Sequence, residues 1–430
     1  MPSDPVHILC TGDVHLGRRP SRVPVEDDEL SVRHVWDSFV ETALNREVGI
    51  VALTGDIVDS GNQMYEAFGV LERGIQRLLD GDIEIVAVAG NHDHSAFPRL
   101  VRAIDADGFH LLGQGGTWET VRVDARTGDS IRFVGWSFPQ ANILSSPLED
   151  LEASETDHPT IGLLHCEAGV ADGQYAPVER DALTRAPVDA WLLGHIHAPD
   201  AHREAGQLQL YPGSLQPLDP GEPGTRGPWL VEVSPKETTA EQIPLASLRY
   251  EETAVDISDC DTKEDVEETA LRTLRESASE LGAQFEPLRH VAHRLRIEGR
   301  TQLHREIEET LREMVGSVRR EVDEVGATLE DFTPQTRPDH DLSELARADD
   351  PPGVLAQLLL DLENGEAQNE RVRRVLREAS KATREVHESG RYDPLRRDSE
   401  TREAPGRGDL QSMLYRQGLL LLDELHDSRT

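Results

Sequence analysis

Five short polar signatures, each following a run of β-forming residues, contain the candidate metal ligands of this chain. In order they are Asp13-Val14-His15, Gly55-Asp56, Gly90-Asn91-His92-Asp93, His165 and Gly194-His195-Ile196-His197. Carboxylate, amide and imidazole donors mixed in this way suit Mn, Fe, Zn or Mg better than soft metals. The order and strand context therefore predict a centre for two divalent metal ions that can hydrolyse a phosphodiester.

The signatures are predicted to meet because the carboxyl ends of parallel strands converge at one edge of a sheet. Asp13 and His15 follow the first strand, and in an extended segment an i, i+2 pair points to the same side. Asp56 has two oxygens and is predicted to bridge both ions. His195 and His197 flank one residue, so each can serve a different ion. The metal ligands predicted are Asp13, His15, Asp56, Asn91, His165, His195 and His197.

Two further residues of the third signature are predicted to take part in catalysis. His92 is the candidate for protonating the leaving oxygen, and Asp93 is expected to orient His92 by accepting its other N–H. Taken singly, each signature has an ordinary structural explanation: Gly-Asn-His-Asp runs also form turns, and a lone His165 could be a core histidine. The prediction depends on the five occurring together.

The elements that position these residues alternate along the first part of the chain. Strands are predicted at 6–11, 49–54 and 83–89, with helices at 31–48 and 64–79, which indicates a parallel sheet buried on both faces. Shorter alternating segments follow at 118–124, 131–137, 160–165, 190–193, 208–211 and 229–233, and Val233 is expected to end the last strand of this region. They predict a second sheet packed on the first, in an α/β fold.

Three further segments are predicted after residue 245. Residues 253–332 alternate between strands and helices, with helices expected at 263–281 and 301–320, and form a small α+β module. A stretch rich in proline and acids follows and is interpreted as a linker. The last part is helical, with apolar runs at 354–362 and 419–422. The predicted domain ranges are 1–245, 250–335, 336–352 and 353–430.

The chain is strongly acidic, with 81 Asp and Glu against 44 Lys and Arg and a formal charge of −37. One interpretation is repulsion of nucleic acid; the favoured one is adaptation to a salt-rich cytoplasm, where the Debye length falls to about 3 Å. Cys10, Cys166 and Cys260 are too few and too far apart for a disulfide framework. Neither a signal peptide nor a membrane-spanning run is predicted, so a cytoplasmic location is expected.

The signatures resemble those of the calcineurin-like metallophosphoesterases, and within them the SbcD/YhaO group of DNA-repair nucleases. The runs that carry the resemblance are Gly12 to Gly17, Tyr175-Ala176-Pro177, Asp189 to His197, Tyr211-Pro212-Gly213-Ser214 and Gly224-Thr225-Arg226-Gly227. Asp93 stands where protein phosphatases of this family have Glu. The resemblance implies a two-sheet metallophosphoesterase sandwich flanked by helices, with a small α+β cap and a helical C-terminal tail.

The resemblance also implies which ligands serve which ion. One Mn ion would be held by Asp13, His15, Asp56 and His197, and the other by Asp56, Asn91, His165 and His195. His92 would be the catalytic histidine. At Asp59 the archaeal and eukaryotic relatives carry a histidine implicated in exonuclease action, so the balance between exonuclease and endonuclease action is left open.

The implied function is a Mn-dependent nuclease that processes DNA ends with a coiled-coil ATPase of the SbcC type. Residues 250–335 would grip DNA, with Arg289, Arg294, Arg296 and Arg300 as candidate phosphate contacts or, alternatively, a solvated face. The terminal helices would bind the ATPase or pack on one another, and a homodimer is expected, with residues 64–79 as a candidate interface. Two alternatives stay open: a small-molecule phosphodiesterase or phosphatase of the same fold, and a DNA-end-binding scaffold with little activity.

Overall fold

The computed structural model describes residues 5–23, 28–59, 64–125, 130–152, 158–170, 172–234, 236–304, 306–316, 319–322, 325–363, 370–387 and 406–427. The chain divides into two compact units. The first comprises Met1–Ala254, Ala270–Arg296 and Leu311–Thr333, and the second comprises Val255–Thr269, Ile297–Thr310 and Pro334–Thr430. The domain boundaries expected from the sequence remain predictions. Among the described residues, no helix is both long and apolar enough to cross a bilayer.

Twenty strands are described. They are β1 (Val6–Thr11), β2 (Ile50–Leu53), β3 (Glu84–Ala87), β4 (Phe109–Leu111), β5 (Glu119–Asp124), β6 (Ser130–Trp136), β7 (Thr160–His165), β8 (Glu167–Ala168), β9 (Pro177–Val178) and β10 (Ala190–Gly194). The others are β11 (Asp200–Glu204), β12 (Gln207–Tyr211), β13 (Trp229–Val233), β14 (Thr238–Gln242), β15 (Leu248–Asp256), β16 (His290–Glu298), β17 (Arg300–Thr301), β18 (Arg319–Val322), β19 (Val325–Pro334) and β20 (Arg337–Pro338).

The described α-helices are α1 (Val32–Asn45), α2 (Met64–Asp80), α3 (Phe97–Ile104), α4 (Arg180–Arg185), α5 (Lys263–Gln284), α6 (Ile307–Arg312), α7 (Leu342–Leu345), α8 (Pro351–Glu363), α9 (Glu370–His387) and α10 (Arg407–Asp427). Short 3-10 turns occur at Asp28–Leu30 and Pro147–Asp150.

Two six-stranded sheets form the first part of the chain, as the sequence predicts. One has the order β14-β13-β1-β2-β3-β4, and the other has the order β11-β12-β10-β7-β6-β5. The strands β1 to β4 are parallel, as are β6, β7, β10 and β12, whereas β13, β14, β11 and β5 run antiparallel to their neighbours. The fold is therefore a mixed α/β sandwich of two main sheets with flanking helices.

The central strands are buried on both faces because alternate side chains serve two separate cores. Leu9 of β1 packs in the cluster that contains Trp36 of α1. Its neighbour Ile8 packs in the cluster that contains Phe133 of the second sheet. Each strand thus joins a helix layer on one side to the other sheet on the opposite side.

The helix α1 shows how the sequence encodes that helix layer. The Ser31 hydroxyl accepts a hydrogen bond from the backbone N–H of His34 at 3.1 Å and caps the first turn. Val35, Trp36 and Phe39 follow at helical spacing and are fully buried. Removal of the Ser31 hydroxyl would cost about 1 kcal/mol of helix stability.

Two predictions of secondary structure fail. The helix expected at 301–320 is reduced to α6, and residues 319–322 are strand β18. Gly316, with a φ of 70°, donates its N–H to Leu329 and turns the chain back toward β19. Val233 does not end the last strand of the first sheet, because β14 pairs with β13 as an edge strand. Its sequence, TTAEQ, is too polar to stand out as a strand.

The helices α7 to α10 of the second unit share one apolar core, in which Leu359 and Leu422 are almost completely buried. The Asp423 carboxylate on α10 is 3% exposed and accepts hydrogen bonds from Arg300 at 3.1 and 3.2 Å. His340 Nε2 lies 2.8 Å from the same carboxylate. The apolar run 419–422 is thus covered in part by the chain itself.

Candidate metal centre

All the predicted ligands lie at or just after the carboxyl ends of strands. Asp13 and His15 follow β1, Asp56 follows β2 and Asn91 follows β3. The last residue of β7, His165, pairs with Gly194 at the end of β10, and His195 and His197 come next. Both main sheets therefore contribute ligands at the same end of their parallel strands.

The loop after β1 is not extended, and the expected i, i+2 geometry is wrong. Asp13 and His15 have φ values of 47° and 51°, and Asp56 and His195 also have positive φ, at 51° and 96°. For residues other than glycine this conformation costs of order 1 kcal/mol each. Strain gathered on four predicted ligands is typical of a functional site.

Backbone hydrogen bonds hold the loops after β1 and β2 together. The N–H groups of Asp13 and His15 donate to the carbonyls of Gly55 and Asp56, both at 3.0 Å. Leu16 continues the pairing by donating to Ile57 at 2.9 Å. The rigid pairing of the two loops, rather than strand geometry, places both side chains.

Asp13, His15 and His197 form the first group of ligands. Their candidate ligand atoms lie within 4.8 Å of one another. His15 Nε2 is 3.2 Å from His197 Nε2, and His197 Nε2 is 3.9 Å from Asp13 Oδ1. The structure thus brings together the three unshared ligands that the resemblance assigned to one ion.

Asn91, His165 and His195 form the second group. Asn91 Oδ1 lies 3.0 Å from His165 Nε2 and 3.2 Å from His195 Nδ1. Asp56 Oδ2 lies 3.4 Å from His165 Nε2. The candidate ligand atoms of Asp13, Asp56 and His165 also lie within 4.8 Å of one another, which places Asp56 next to both groups.

The contacts of His165 show why this donor set fits a cation. Its Nδ1 lies 3.0 Å from the carbonyl of Thr54 and can donate only there. In the neutral ring, Nε2 would then turn a lone pair toward the oxygens of Asn91 and Asp56. Such a cluster of lone pairs is stable only around a proton or a metal ion. The residues present therefore fit a divalent metal.

Two glutamates that the sequence did not reveal hold the histidines of the last signature. Glu222 Oε1 accepts a hydrogen bond from His197 Nδ1 at 2.7 Å, and its Oε2 accepts one from the Ser214 hydroxyl at 2.7 Å. Glu167 Oε1 lies 3.5 Å from His195 Nε2. His195 and His197 thus face the centre with opposite ring nitrogens. A carboxylate behind a ligating imidazole fixes its tautomer and orientation.

Burial and neighbouring charges move the pKa values of the predicted ligands in both directions. Burial raises the pKa of Asp13 to about 6 and lowers the pKa values of His15 and His195 to about 3 and 4. Burial would raise the pKa of Asp56, but the charge of His165 and its hydrogen bond outweigh it and lower that pKa. Burial would lower the pKa of His165, but Asp56 raises it to about 9. Metal binding requires neutral imidazoles and an ionised Asp56, so an ion at the centre would take the place of the proton on His165.

His92 lies at the open side of the centre. Its side chain is exposed, and its backbone N–H donates to Asp56 Oδ1 at 2.8 Å. Its ring centroid is 5.2 Å from that of His15. Asp59, His15 and His92 also have candidate ligand atoms within 4.8 Å of one another. A solvent-facing imidazole next to the ligands can exchange a proton with a bound substrate.

Among the described residues, Asp93 makes no hydrogen bond to His92 of the kind that the sequence led us to expect. Asp93 is fully buried, and its Oδ1 and Oδ2 accept the N–H groups of Gly90 and Ile57, each at 2.7 Å. Burial, together with the charge of Asp56, raises the Asp93 pKa to about 7. Asp93 therefore joins the loops after β2 and β3.

Glycines allow the loops to approach each other closely. A Cβ at Gly90 would lie 2.2 Å from Asp56 Oδ1, and a Cβ at Gly194 would lie 2.1 Å from the Thr54 carbonyl. Neither position tolerates a side chain without moving a ligand. The glycines of the Gly90-Asn91 and Gly194-His195 signatures are thus required by close packing.

The four arginines predicted as phosphate contacts all have acidic neighbours. Arg289 lies 3.9 Å from Glu29, Arg294 lies 3.1 Å from Glu330, and Arg296 bonds to Glu252. Arg300 binds Asp423, as described above. These pairings favour the alternative to phosphate contacts, a solvated face.

The three cysteines are free and buried, as expected for small apolar side chains. Burial raises the pKa of the Cys10 thiol and raises that of Cys166 to about 12. Both thiols are therefore protonated near neutral pH.

Comparison with known proteins gives matches to two protein families. Residues 6–199 match the calcineurin-like phosphoesterases, and residues 250–337 match the middle domain of metallophosphoesterase YhaO. The chain is 28% identical over 238 residues to the uncharacterized metallophosphoesterase YhaO of Bacillus subtilis, covering 54% of this chain and 56% of that protein.

Two further relatives are named for DNA processing. The chain is 27% identical to the DNA double-strand break repair protein Mre11 of Aeropyrum pernix, over 59% of this chain and 64% of the relative. It is 26% identical to the SbcD subunit of the SbcCD nuclease of Bacillus subtilis, over 56% and 70%. The match thus covers less than two thirds of the length of YhaO and of this Mre11 protein.

Among solved structures, the calcineurin-like phosphoesterase YfkN of Bacillus subtilis aligns with a TM-score of 0.36 at 13% identity, over 63% of this chain and 98% of that one. A dimetal phosphatase from Danio rerio aligns with a TM-score of 0.34 at 12% identity, over 56% and 99%.

Residues 6–199 therefore match a calcineurin-like phosphoesterase domain, and the calcineurin-like fold binds dinuclear metal sites. The chain is a low-identity homologue of the YhaO, SbcD and Mre11 proteins.

Proposed function

We propose that this protein is a metal-dependent nuclease that hydrolyses phosphodiester bonds at DNA ends, with Mn as the preferred ion and Mg, Fe or Zn as alternatives. The main support is the arrangement of two ligand groups around Asp56, with Asp13, His15 and His197 in one and Asn91, His165 and His195 in the other. Mixed nitrogen and hard oxygen donors suit these metals.

The residues of the chain would divide the work as follows. When bound, two divalent ions would neutralise the charge of the phosphoryl oxygens and activate the attacking water. Glu222 and Glu167 would hold His197 and His195 in their ring orientations. His92, exposed beside His15, would give a proton to the leaving oxygen.

DNA is proposed as the substrate because relatives are named as a DNA double-strand break repair protein and as part of a nuclease. The name of that nuclease also supports a partner, proposed to be an SbcC-type coiled-coil ATPase. Residues 250–335 would act as a DNA-binding cap and 353–430 as the partner-binding segment, on which Val354, Met413 and Leu421 are exposed. A homodimer and a cytoplasmic location complete the proposal.

The proposed nuclease function is tested by incubating linear DNA with the full chain and Mn, in high salt. Wild type is expected to degrade the DNA, and His92→Ala should lose about 10²–10⁴-fold in rate, the usual contribution of general acid–base catalysis. His202→Ala, on β11 with a half-exposed side chain, is the matched control and should equal wild type. Hydrolysis of small phosphodiesters with DNA left intact would instead support the small-molecule enzyme. DNA binding without hydrolysis would support the scaffold.

The partner proposal needs its own test. Co-expression with the SbcC-type ATPase of the same genome should give a stable complex, and Leu421→Asp should weaken it at least tenfold in a binding titration. Glu424→Gln, an exposed position on the same helix, is the control. A complex unaffected by Leu421→Asp would refute the assignment of this helix.

A further inference from the structure

A cavity lined with arginines lies in the first unit, between the loop after β1, the start of α1 and the helix α2. Its volume is about 400 Å³, and its charged lining residues are Arg18, Arg19, Arg33, Arg73 and Asp28. Four cationic side chains thus face one acidic side chain in a single cavity. Charge of one sign focused in a concave site attracts ligands of the opposite sign.

This cavity departs from the charge pattern of the chain, which has 81 acidic and 44 basic residues. The arginines near β16 are paired with acids, as shown above. By contrast, Arg33 and Arg73 form no hydrogen bond or ion pair with any described residue. Both side chains are exposed, so neither is held there by packing. Guanidinium groups gathered at one cavity repel each other, and an anion between them relieves the repulsion.

The cavity adjoins the metal centre through a short and rigid connection. Arg18 donates its backbone N–H to the carbonyl of His15 at 2.9 Å, and Asp59 donates to Leu16 at 3.0 Å. Arg18 Nε lies 3.5 Å from Asp59 Oδ2. Asp59 belongs to the cluster with His15 and His92. The cavity therefore begins at the His92 side of the centre, where the substrate would be protonated.

We propose that this arginine cavity binds a backbone phosphate of a polynucleotide strand whose cleaved phosphodiester lies at the metal centre. The inference rests on the proposed nuclease function. Guanidinium groups present paired N–H donors that match a phosphate. A small phosphodiester ends at the centre, whereas each strand of DNA carries a further phosphate about every 3.4 Å along its axis. Arginine side chains that lie beyond the metal ligands would therefore contact a polymeric substrate but not a small phosphodiester.

The test compares the double variant Arg33→Ala/Arg73→Ala with Arg185→Ala, an exposed arginine of α4 that does not line the cavity. Binding of a fluorescein-labelled DNA duplex with a single-stranded end is followed by anisotropy at several KCl concentrations, with EDTA to prevent cleavage. The double variant should bind about tenfold more weakly. Its slope of log K against log salt should fall by up to about 1.8, or about 0.9 for each phosphate that is no longer neutralised. Arg185→Ala should match wild type.

A second readout separates a strand contact from a general effect on the centre. With Mn present, the double variant should lose more kcat/KM on DNA than on bis(p-nitrophenyl) phosphate, with the ratio falling about tenfold. Arg33→Lys/Arg73→Lys keeps the charges and should recover most of the salt slope. Thermal melting of each variant should match wild type, because the replaced side chains are exposed.

Three results would overturn the inference. The double variant could bind DNA with unchanged affinity and slope, or lose activity equally on DNA and on the small diester. It could also change its mass in light scattering together with its affinity, which would make the cavity an interface between copies. A wild type that hydrolyses only the small diester, without binding DNA, would overturn the proposed function itself and this inference with it.

Discussion

The metal centre and the strand β16 differ in how their charged side chains are arranged. In the centre, buried carboxylates and imidazoles are forced together, His15 Nε2 faces His197 Nε2 at 3.2 Å, and pKa values are displaced in both directions. On β16, Arg294 and Arg296 each lie beside a carboxylate. Buried titratable groups with displaced pKa values therefore indicate a site that needs a ligand. Arginines paired with carboxylates indicate a structural region. This difference is more informative than the number of charges in either region.

The largest effect expected from this comparison follows replacement of the shared ligand. Asp56→Asn should reduce Mn-dependent hydrolysis of DNA by about 10³-fold, because the two ions together supply several kcal/mol of charge stabilisation. It should also reduce the number of ions bound per chain. Arg296→Gln, on β16, is the control and should change the rate less than twofold. A rate for Asp56→Asn within tenfold of wild type would contradict the claim that the metal centre, unlike β16, is required for hydrolysis.

The strand β16 also contains His293, whose pKa is displaced, and this displacement should affect the free energy of unfolding. Burial lowers the pKa of His293 from 6.5 to about 4, and its Nε2 has no partner among the described residues. As the pH falls from 6.5 toward 4, the unfolded chain takes up a proton that the folded chain excludes, so stability is lost over that interval. The loss should reach about 3 kcal/mol.

The measurement is the free energy of unfolding against pH, by urea titration, for wild type and His293→Leu. The variant should lack the decline between pH 6.5 and 4 that His293 causes. His202→Leu, at a half-exposed site, should keep the wild-type profile. Identical profiles for wild type and His293→Leu would show that His293 is not held neutral.

A moderate loss of metal affinity is expected from replacing Glu222, which holds the ligand His197. Glu222→Ala should lower the affinity for Mn by about 10–100-fold, the usual result of removing the carboxylate behind a ligating histidine. Glu222→Gln keeps an acceptor for His197 Nδ1 and should recover part of that loss. Isothermal titration with Mn measures both. Glu252→Gln removes the partner of Arg296 instead and should leave the affinity unchanged. Equal affinities in all three variants would refute the positioning role of Glu222.

The smallest effect concerns the ion pairs of β16. Arg296 and Glu252 have side chains 36% and 55% exposed, so water already screens the pair. Arg296→Gln should change the free energy of unfolding by less than about 1 kcal/mol. Chemical denaturation checks this value. A loss of several kcal/mol would contradict the view that the ion pairs of β16 are screened by water and contribute little to stability.

Much of this organisation can be predicted from sequence because it depends on local pattern. The buried strands β1, β2, β3, β7 and β10 are apolar runs that end in polar signatures, so their residues and their shared edge follow from the sequence. The helix α1 likewise follows from a capping serine and apolar spacing.

Features that depend on distant partners could not be predicted. Glu222 lies 25 residues from His197, in a Gly/Pro-rich loop with no periodic pattern. Asp93 appeared suited to support His92, but the backbone N–H groups of Gly90 and Ile57 take both of its oxygens. The left-handed backbone of Asp13 and His15 is imposed by pairing with the loop after β2. Local propensity contains none of this information.

The central claim, a two-ion centre built around Asp56, is tested most directly by anomalous diffraction. Crystals of the full chain soaked in MnCl₂ would be measured at the manganese absorption edge. Two peaks are expected about 3.5–4 Å apart, one beside Asp13, His15 and His197 and one beside Asn91, His165 and His195. A single peak, or peaks away from Asp56, would contradict the claim.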